Sequence, residues 1–245
     1  KVIFKSKILV CDSITINFAS VDKMLSLQVN IKVSEELYLR NPDSSELGKR
    51  IISGSIDLIN DLGFELFTFK KLGERIGSPE SSIYRYFESK QSLLIYLVAW
   101  YWSWVDYKLA FATTNIDSPK ERLKRAIDVL VQPVLVDYSI LHVNEVLLSE
   151  IIITESVKAY HTREVDDQNR KGCFRKYKDV VQRVSDIVLE VDPSFEYPHM
   201  MISTIIEGSH QQRFYTDHLP SLTDVKPDHD AIGDFYTQFV FKMLE

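Results

Sequence analysis

The sequence predicts an all-α protein with an N-terminal three-helix domain of the helix-turn-helix type, followed by a larger C-terminal helical domain. Apolar residues recur at the three- and four-residue spacing of helices through most of residues 40–245, and no stretch there has the alternation of a strand. Prolines and glycines separate the helical segments. Residues 68–87 hold two short helical patterns joined by a glycine, which is the arrangement of a helix-turn-helix.

The first 42 residues differ from the rest and are predicted to form an extension and an arm. Residues 1–23 alternate weakly and have no helical pattern, and Met24 follows them. Two alternatives stay open: an extension upstream of a biological start at Met24, or an ordinary disordered or strand-like tail. From Leu27 to Val33, apolar and polar residues alternate, which predicts a short half-buried strand or an extended arm.

The first helix of the three-helix domain, which is predicted over residues 43–92, has clear end signals. Asp43 and Glu46 resemble a capping box, in which two side chains bind the free amides at a helix start. Gly63 is expected to end this helix, because glycine readily adopts the left-handed conformation of a helix C-terminus.

The second and third helices form the predicted helix-turn-helix. Thr68 is expected to cap the second helix, and Gly77 is expected to end it with a positive φ. Ser78 and Pro79 are expected to cap and begin the third helix. The two helices are expected to cross over the small residue Gly73, which leaves the third helix free to enter a DNA major groove.

Six further helices are predicted, over about residues 90–111, 118–133, 142–160, 164–191, 197–218 and 232–243. Pro133 is expected to kink or end the fifth helix of the chain, and Asp192 with Pro193 is expected to end the seventh.

Several residues of the three-helix domain have a specific spacing: Ile56, Leu62, Gly63, Phe69, Gly77, Tyr84, Phe87, Lys90, Leu93 and Leu94. In this spacing, roughly residues 45–95 resemble the DNA-binding domain of the TetR family of bacterial transcription regulators. The rest of the chain resembles that family only in helical pattern and length. The resemblance implies that residues 93–245 form an effector-binding and dimerisation domain.

The resemblance also implies which residues contact DNA. They lie at the start of the second helix, on the recognition helix and at the start of the fourth helix: Thr68, Lys70, Lys71, Ser78, Ser81, Ser82, Tyr84, Arg85, Tyr86 and Lys90. Thr68 and Lys90 suit phosphate, and Arg85 suits a base edge. Tyr84 and Phe87 have the alternative role of closing the small core. Because Ser78 follows Gly77 directly, where the family usually has a hydrophobic residue between, the recognition helix is expected to start one residue early.

An effector site is expected among the helices of the C-terminal domain. Its candidate residues are aromatic or polar: Trp100, Trp104, Tyr107, Glu150, Thr154, Cys173 and Tyr177. On a helical wheel, Glu150 and Thr154 fall in the middle of an apolar arc of the sixth helix. A carboxylate buried there needs a partner, either a cationic or hydroxyl side chain of the protein or a ligand. Both alternatives stay open, as does the plain reading of the aromatic residues as core.

The last two helices are the expected dimer interface, again by resemblance to the family. The candidate residues are Gly208, Ser209, Gln212, Phe235, Phe239 and Met243. The alternative is packing within one chain only.

Composition and motifs exclude several classes of protein. The chain has 29 basic and 35 acidic residues, which argues against coating nucleic acid without specificity. Two cysteines do not make a disulfide framework, and the longest uncharged apolar run, residues 91–105, is shorter than the roughly 20 residues of a membrane span. Histidine and cysteine spacings fit no metal site, and no nucleotide or catalytic motif is present. We therefore expect a cytoplasmic protein that needs no cofactor or metal, is not an enzyme and has no membrane partner.

Taken together, these observations predict a homodimeric transcription regulator. The resemblance implies a repressor, because most members of the family are repressors. It would bind a palindromic double-stranded DNA operator and respond to a small-molecule effector. The alternative is a dimeric ligand sensor or partner-binding protein whose helix-turn-helix no longer binds DNA. Residues 45–95 keep this alternative open, since they hold seven basic and seven acidic residues and place Glu80 in the recognition helix.

Overall fold

The computed structural model describes residues 10–11, 14–16, 29–136, 142–226 and 229–245. Met24 and Leu27, which figure in the sequence predictions, lie outside the described residues. Near the N-terminus, strands β1 (Val10–Cys11), β2 (Ile14–Ile16) and β3 (Val29–Ile31) form an antiparallel sheet in that order. In its register, Ile14 pairs with Ile31 and Ile16 pairs with Val29. The strand predicted from the alternation before Val33 is thus confirmed.

Helices make up the remaining regular structure of the described residues, so the predicted all-α class is confirmed. In chain order they are α1 Glu46–Leu66, α2 Phe69–Ile76, α3 Glu80–Ile83, α4 Lys90–Thr113, α5 Pro119–Val131, α6 Glu145–Glu155, α7 Val157–Tyr160, α8 Val165–Arg170, α9 Arg175–Val191, α10 Pro198–His218 and α11 Ala231–Met243. Short 3-10 turns cover Glu35–Leu37, Pro42–Ser44 and Pro220–Leu222.

Residue contacts divide the chain into two compact units. Unit 1 comprises Lys1–Ser103 and Leu135–Cys173, and unit 2 comprises Trp104–Val134 and Phe174–Glu245. The division predicted at residue 92 concerns function rather than packing, and it stays a prediction.

In unit 1, α1 packs against both α2 and α6. Its N-cap is Ser45, whose hydroxyl accepts a hydrogen bond from the Gly48 amide over 3.1 Å. The capping box predicted at Asp43 is therefore wrong, because Asp43 lies in the preceding 3-10 turn. Gly63 has φ 76° and ψ 157° and breaks the helical geometry as predicted, although the helix resumes as far as Leu66.

Two helices predicted as continuous are interrupted. The helix expected over 142–160 is split into α6 and α7, and it begins after Asn144, whose side chain accepts from the Leu147 amide. The helix expected over 164–191 is split into α8 and α9. Gly172, with φ 79°, takes a left-handed conformation that cannot continue a helix.

In unit 2, α5 packs against α9, α10 and α11. Its start is as predicted, since the Ser118 hydroxyl accepts from the Glu121 amide and Pro119 opens the first turn. Its end at Val131, two residues before Pro133, is also as predicted. Among the described residues, no helix is both long and apolar enough to cross a bilayer.

Candidate nucleic-acid interface

The helix α2 has the ends that its sequence predicts. The Thr68 hydroxyl accepts a hydrogen bond from the Lys71 amide over 3.2 Å. At the other end Gly77 has φ 61° and ψ 44°, the left-handed conformation expected of it. The Arg50 guanidinium of α1 donates to the Ile76 carbonyl oxygen, which occupies one of the carbonyls left free at the end of α2.

The close approach of α2 to the start of α3 depends on Gly73. The Ser78 amide donates to the Gly73 carbonyl over 2.9 Å. A Cβ on Gly73 would lie 2.6 Å from the Ser78 carbonyl oxygen, closer than real Cβ contacts allow. The predicted crossing at Gly73 is therefore confirmed.

The recognition helix α3 is shorter and starts later than predicted. Pro79 is the N-cap, no side chain caps the helix, and Glu80 is the first helical residue. Ser78 therefore does not cap α3, and the expected early start is wrong, because Pro79 holds the cap position and helical geometry begins only at Glu80.

Six of the ten predicted DNA-contact residues are exposed: Thr68, Lys70, Lys71, Ser81, Tyr84 and Arg85. Ser78 and Ser82 are half-buried. Tyr84 is 47 % exposed, and its ring packs edge-to-face on Phe69 with 5.0 Å between the ring centroids. Phe69 therefore fixes one side of the Tyr84 ring, and the other side faces outward.

Tyr86 is not available for DNA contact, and this prediction is wrong. Its side chain is 2 % exposed, and its hydroxyl shares a hydrogen bond of 2.7 Å with the Ser45 hydroxyl. Its backbone carbonyl also accepts from the Leu39 amide over 2.8 Å. Tyr86 thus ties the end of the helix-turn-helix to the start of α1. Phe87 is fully buried, in keeping with the core role left open for it.

Lys90 serves a different purpose from the predicted phosphate contact. Its ammonium donates hydrogen bonds to the carbonyl oxygens of Phe64 and Glu65, at 3.0 Å each, and to that of Phe67, at 3.3 Å. A lysine placed this way stabilises a helix C-terminus, here that of α1. The phosphate contact expected of Lys90 is therefore not supported.

Ion pairs engage some of the charged residues of this domain and leave others available. Three of the seven acidic residues in 45–95 are paired with cations: Glu46 with Lys49, Asp61 with Arg75 and Glu65 with Lys158. Lys70 and Arg85 are exposed, and within the described ranges no ion pair engages either of them. Both cations can therefore meet a phosphate without first giving up an acidic partner.

Glu155 of α6 forms a contact that sequence reasoning missed. Its Oε1 accepts a hydrogen bond from the buried Phe64 amide over 3.0 Å, just past the break at Gly63. Its Oε2 lies 2.7 Å from the Lys158 ammonium, which also contacts Glu65 at 3.0 Å. Nothing in the sequence distinguishes this acid from the exposed Glu150 of the same helix, because the burial of Glu155 depends on its contact with the distant Phe64 amide.

The expected burial of Glu150 and Thr154 is wrong, because both are exposed. Instead α6 buries the opposite face, which carries Leu148, Ile152 and Glu155. Apolar residues occur on both faces of this helix, so hydrophobicity alone does not identify the buried one. The argument that Glu150 needs a buried partner therefore fails.

The other predicted effector residues are described within their own units. In unit 1, Trp100 and Cys173 are buried. In unit 2, Trp104 is buried, Tyr107 is half-buried, and the Tyr177 hydroxyl donates to Glu207 over 2.8 Å. The effector site stays a prediction.

The predicted dimer residues fall into two groups. Ser209 is 1 % exposed, and a Cβ on Gly208 would collide with the Tyr236 hydroxyl of the same chain. The close approach expected at Gly208 is therefore intramolecular, between α10 and α11, and Ser209 is buried within the same chain. The others are at least partly accessible: Gln212 is half-buried, and the side chains of Phe235, Phe239 and Met243 are exposed.

Comparison with known proteins bears on this architecture in two ways. Residues 51–97 match the model for bacterial regulatory proteins of the tetR family. None of the curated protein sequences compared with the chain matches it. The family match therefore covers most of α1, all of α2 and α3 and the first part of α4, and not the rest of the chain.

Solved structures extend the likeness to most of the chain. A transcriptional regulator from Rhodococcus sp. Rha1 has a TM-score of 0.59 at 12% identity, with 83% of this chain and 97% of that chain covered. The regulator AibR, in complex with isovaleryl coenzyme A and operator DNA, has a TM-score of 0.51 at 14% identity, with 80% of this chain and 97% of that chain covered. The superantigen PfiT has a TM-score of 0.54 at 14% identity, with 83% of this chain and 97% of that chain covered. Residues 51–97 therefore match the tetR family model, and most of the chain shares the fold of these solved structures.

Proposed function

We propose that this chain is a transcriptional regulator that binds a palindromic operator as a homodimer. The observation that carries the proposal is the helix-turn-helix itself. The Gly73 crossing positions α3, and Thr68, Lys70, Tyr84 and Arg85 are exposed on its two helices. In a dimer, two such helix pairs read two half-sites of a duplex. We further propose that it acts in the cytoplasm, where its DNA would be.

Each exposed residue has a role that its chemistry supports. Lys70 and the amides at the start of α2 suit phosphate oxygens, which position a protein on DNA. The outward side of Tyr84 can donate its hydroxyl to phosphate or pack on a sugar. Arg85 has the fork of donors that pairs with the edge of a guanine. These roles replace those first expected of Tyr86 and Lys90.

We propose in addition that a small effector bound by residues 93–245 releases the regulator from DNA, as a repressor. The solved complex of AibR contains both an acyl coenzyme A and operator DNA, which supports this class of regulation for the fold. If one ligand lowers the affinity for the other, the reverse holds by the same factor. Effector titration in the presence and absence of operator checks this equality.

Selection of bound duplexes from a random pool tests DNA recognition. We expect the wild-type protein to enrich a palindrome, and Tyr84→Ala to lose the enrichment. Tyr84→Phe separates the hydroxyl from the ring: weakened binding means a hydroxyl contact, and unchanged binding means packing on sugar. Enrichment that is the same for the wild type and Tyr84→Ala would place the recognition surface elsewhere.

A second candidate function is a dimeric ligand sensor or partner-binding protein whose helix-turn-helix domain no longer binds DNA. The engagement of Tyr86 and Lys90 inside the protein favours it, since two expected contacts are lost. The superantigen PfiT shares the fold at a comparable TM-score, so the fold alone does not decide. Absence of salt-dependent DNA binding would favour this second candidate.

A further inference from the structure

A cavity of about 220 Å³ lies in unit 1 between residues 31–43 and α4. It has room for roughly seven waters at their volume in the liquid. Because it is smaller than the roughly 300 Å³ at which drug-sized pockets begin, it would take only a small molecule. Ile31 and Tyr96 form its buried part, and Tyr38 and Asp43 are half-buried on its walls.

The hydroxyl of Tyr96 is the unusual group in this cavity. Its side chain is 1 % exposed, and its ring packs edge-to-face on Phe87 and Tyr38, with centroids 5.3 and 6.1 Å away. Among the described residues no group forms a hydrogen bond with this hydroxyl, although Tyr96 lines the cavity. This hydroxyl can therefore form a hydrogen bond with a ligand that enters the cavity and supplies a polar group.

The charges around the cavity determine what it would bind. Asp43 has one carboxylate oxygen 2.9 Å from the Nε2 atom of His142. This carboxylate contributes to raising the pKa of the Tyr96 hydroxyl, after the larger effect of burial, so the phenol keeps its proton. Lys32 and Glu35 lie on the exposed rim, where water screens them. The inner part therefore presents hydrogen-bond acceptors and aromatic rings, and its one full charge near the hydroxyl is negative.

We propose that this cavity binds a small organic cation, a primary ammonium or a guanidinium on a short apolar stem. The cationic group would donate hydrogen bonds to the Asp43 carboxylate and to the Tyr96 hydroxyl oxygen. The stem would pack on Ile31, and the ring of Tyr38 would add a cation–π contact. This binding does not depend on the function proposed above.

The position of the cavity gives the ligand a route to the helix-turn-helix. The segment that carries Tyr38 and Asp43 also contacts the chain just after α3, because the Leu39 amide donates a hydrogen bond to the Tyr86 carbonyl. The guanidinium of Arg40 lies 5.4 Å from the centre of the Tyr86 ring. An effect of the cation on DNA affinity rests on the proposed function, whereas cation binding itself is measured without DNA.

Calorimetry on the full chain tests the proposal with n-butylammonium and n-butylguanidinium. Butan-1-ol and butyrate are the neutral and anionic counterparts, at constant ionic strength. We expect saturable binding of the cations, at least about tenfold tighter than that of the alcohol, because a charged hydrogen bond of this kind contributes about 1.5 kcal/mol or more. Equal binding of cation and alcohol, tighter binding of butyrate, or no saturable binding of either cation would overturn the proposal.

Three variants locate the site. Asp43→Asn, which removes the negative charge, and Tyr96→Phe, which removes the hydroxyl acceptor, are each expected to weaken cation binding at least about fivefold. Asp57→Asn removes the same charge from an exposed position of α1 and is expected to leave binding unchanged. Circular dichroism checks that each variant is folded. Unchanged binding in both Asp43→Asn and Tyr96→Phe would place the cation elsewhere and overturn the proposal.

A measurement on the wild-type protein removes any dependence on variants. Nuclear Overhauser contacts are expected between the butyl stem and the ring protons of Tyr38 and Tyr96. Contacts of the stem with other side chains only would contradict the assignment, whether or not the variants fold.

Discussion

Glu155 shows how one side chain can fix the end of a helix. Its carboxylate holds the Phe64 amide, which follows the break at Gly63 and has no place in regular helical bonding. We expect Glu155→Ala to lower the free energy of unfolding by about 1–3 kcal/mol, because a buried amide loses its acceptor. Glu155→Gln keeps an acceptor oxygen and is expected to cost less. Urea denaturation measures both changes.

Glu150 provides the matched control on the same helix. It is exposed, so Glu150→Ala is expected to change the free energy of unfolding by no more than about 0.5 kcal/mol. An effect of Glu150→Ala as large as that of Glu155→Ala would mean that the buried face of α6 has been assigned wrongly.

We expect His210 to make the stability of the protein depend on pH. Burial, with a smaller contribution from the nearby Arg213, lowers the pKa of His210 to about 4. In the unfolded chain this histidine takes up a proton near its ordinary pKa, so between about pH 6.5 and 4 the unfolded state binds more protons. The folded state is therefore destabilised as the pH falls through this window. Above the window the histidine is neutral in both states, and this destabilisation is absent.

His210→Gln is the variant that isolates this contribution. We expect the wild-type protein to lose roughly 1–2 kcal/mol more than His210→Gln between pH 7 and pH 5, from the difference in proton binding. Urea denaturation at the two pH values measures the difference. Equal losses in the two proteins would show that His210 titrates alike in the folded and unfolded states.

Among the secondary-structure elements, the pair α2 and α3 depends most on a single small residue. A methyl group at Gly73 would meet the backbone carbonyl of Ser78, which cannot move without shifting α3. We expect Gly73→Ala to lower the free energy of unfolding by about 1–3 kcal/mol, the usual cost of overpacking. The neighbouring exposed Glu74→Ala is the control in the same helix. If the two variants are equally stable by urea denaturation, the close approach at Gly73 is not present.

How far the sequence predicts these elements depends on whether the signal is local. The ends of α2 and α5 were predictable, because Thr68, Gly77 and Ser118 act on their own backbone neighbours. The start of α3 was predicted one residue too early, because Pro79 and not Ser78 holds the N-cap position, while the Ser78 amide closes the end of α2 by bonding to the Gly73 carbonyl. The interruption at Gly172 was missed because a glycine inside an apolar helical pattern is usually tolerated.

The candidate site was predicted in part for the same reason. The family resemblance pointed to Thr68, Lys70, Tyr84 and Arg85, whose side chains are all exposed. It also pointed to Tyr86, but the burial of Tyr86 depends on a contact with Ser45, which is 41 residues away in the chain. The role of Lys90 and the buried face of α6 depend on similarly distant partners.

For the whole molecule, the open question is assembly. The exposed apolar residues Phe235, Phe239 and Met243 lie four residues apart on α11, so they form one stripe, and the first two rings stack at 6.2 Å. We expect this stripe to be the centre of the proposed dimer interface. Phe235→Glu is expected to convert the dimer to a monomer, because a charge would be buried without a partner. Light scattering coupled to size exclusion measures the mass.

Phe111→Glu is the matched control, since Phe111 is also an exposed phenylalanine near a helix end but lies on α4. It is expected to leave the dimer intact. If the wild-type protein is monomeric at the concentrations used for DNA binding, the stripe is not a dimer interface. The proposed binding to two half-sites would then be contradicted as well.

The most direct test of the central claim is the affinity of the purified protein for duplex DNA of random sequence, measured over a series of salt concentrations. We predict a steep linear fall of log affinity with log salt, and a slope reduced by about one for Lys70→Ala, which removes one phosphate contact. Lys120→Ala, an exposed lysine on α5, should leave the slope unchanged. Affinity that does not depend on salt, or that Lys70→Ala and Lys120→Ala change alike, would contradict the assignment of α2 and α3 as the DNA-binding surface.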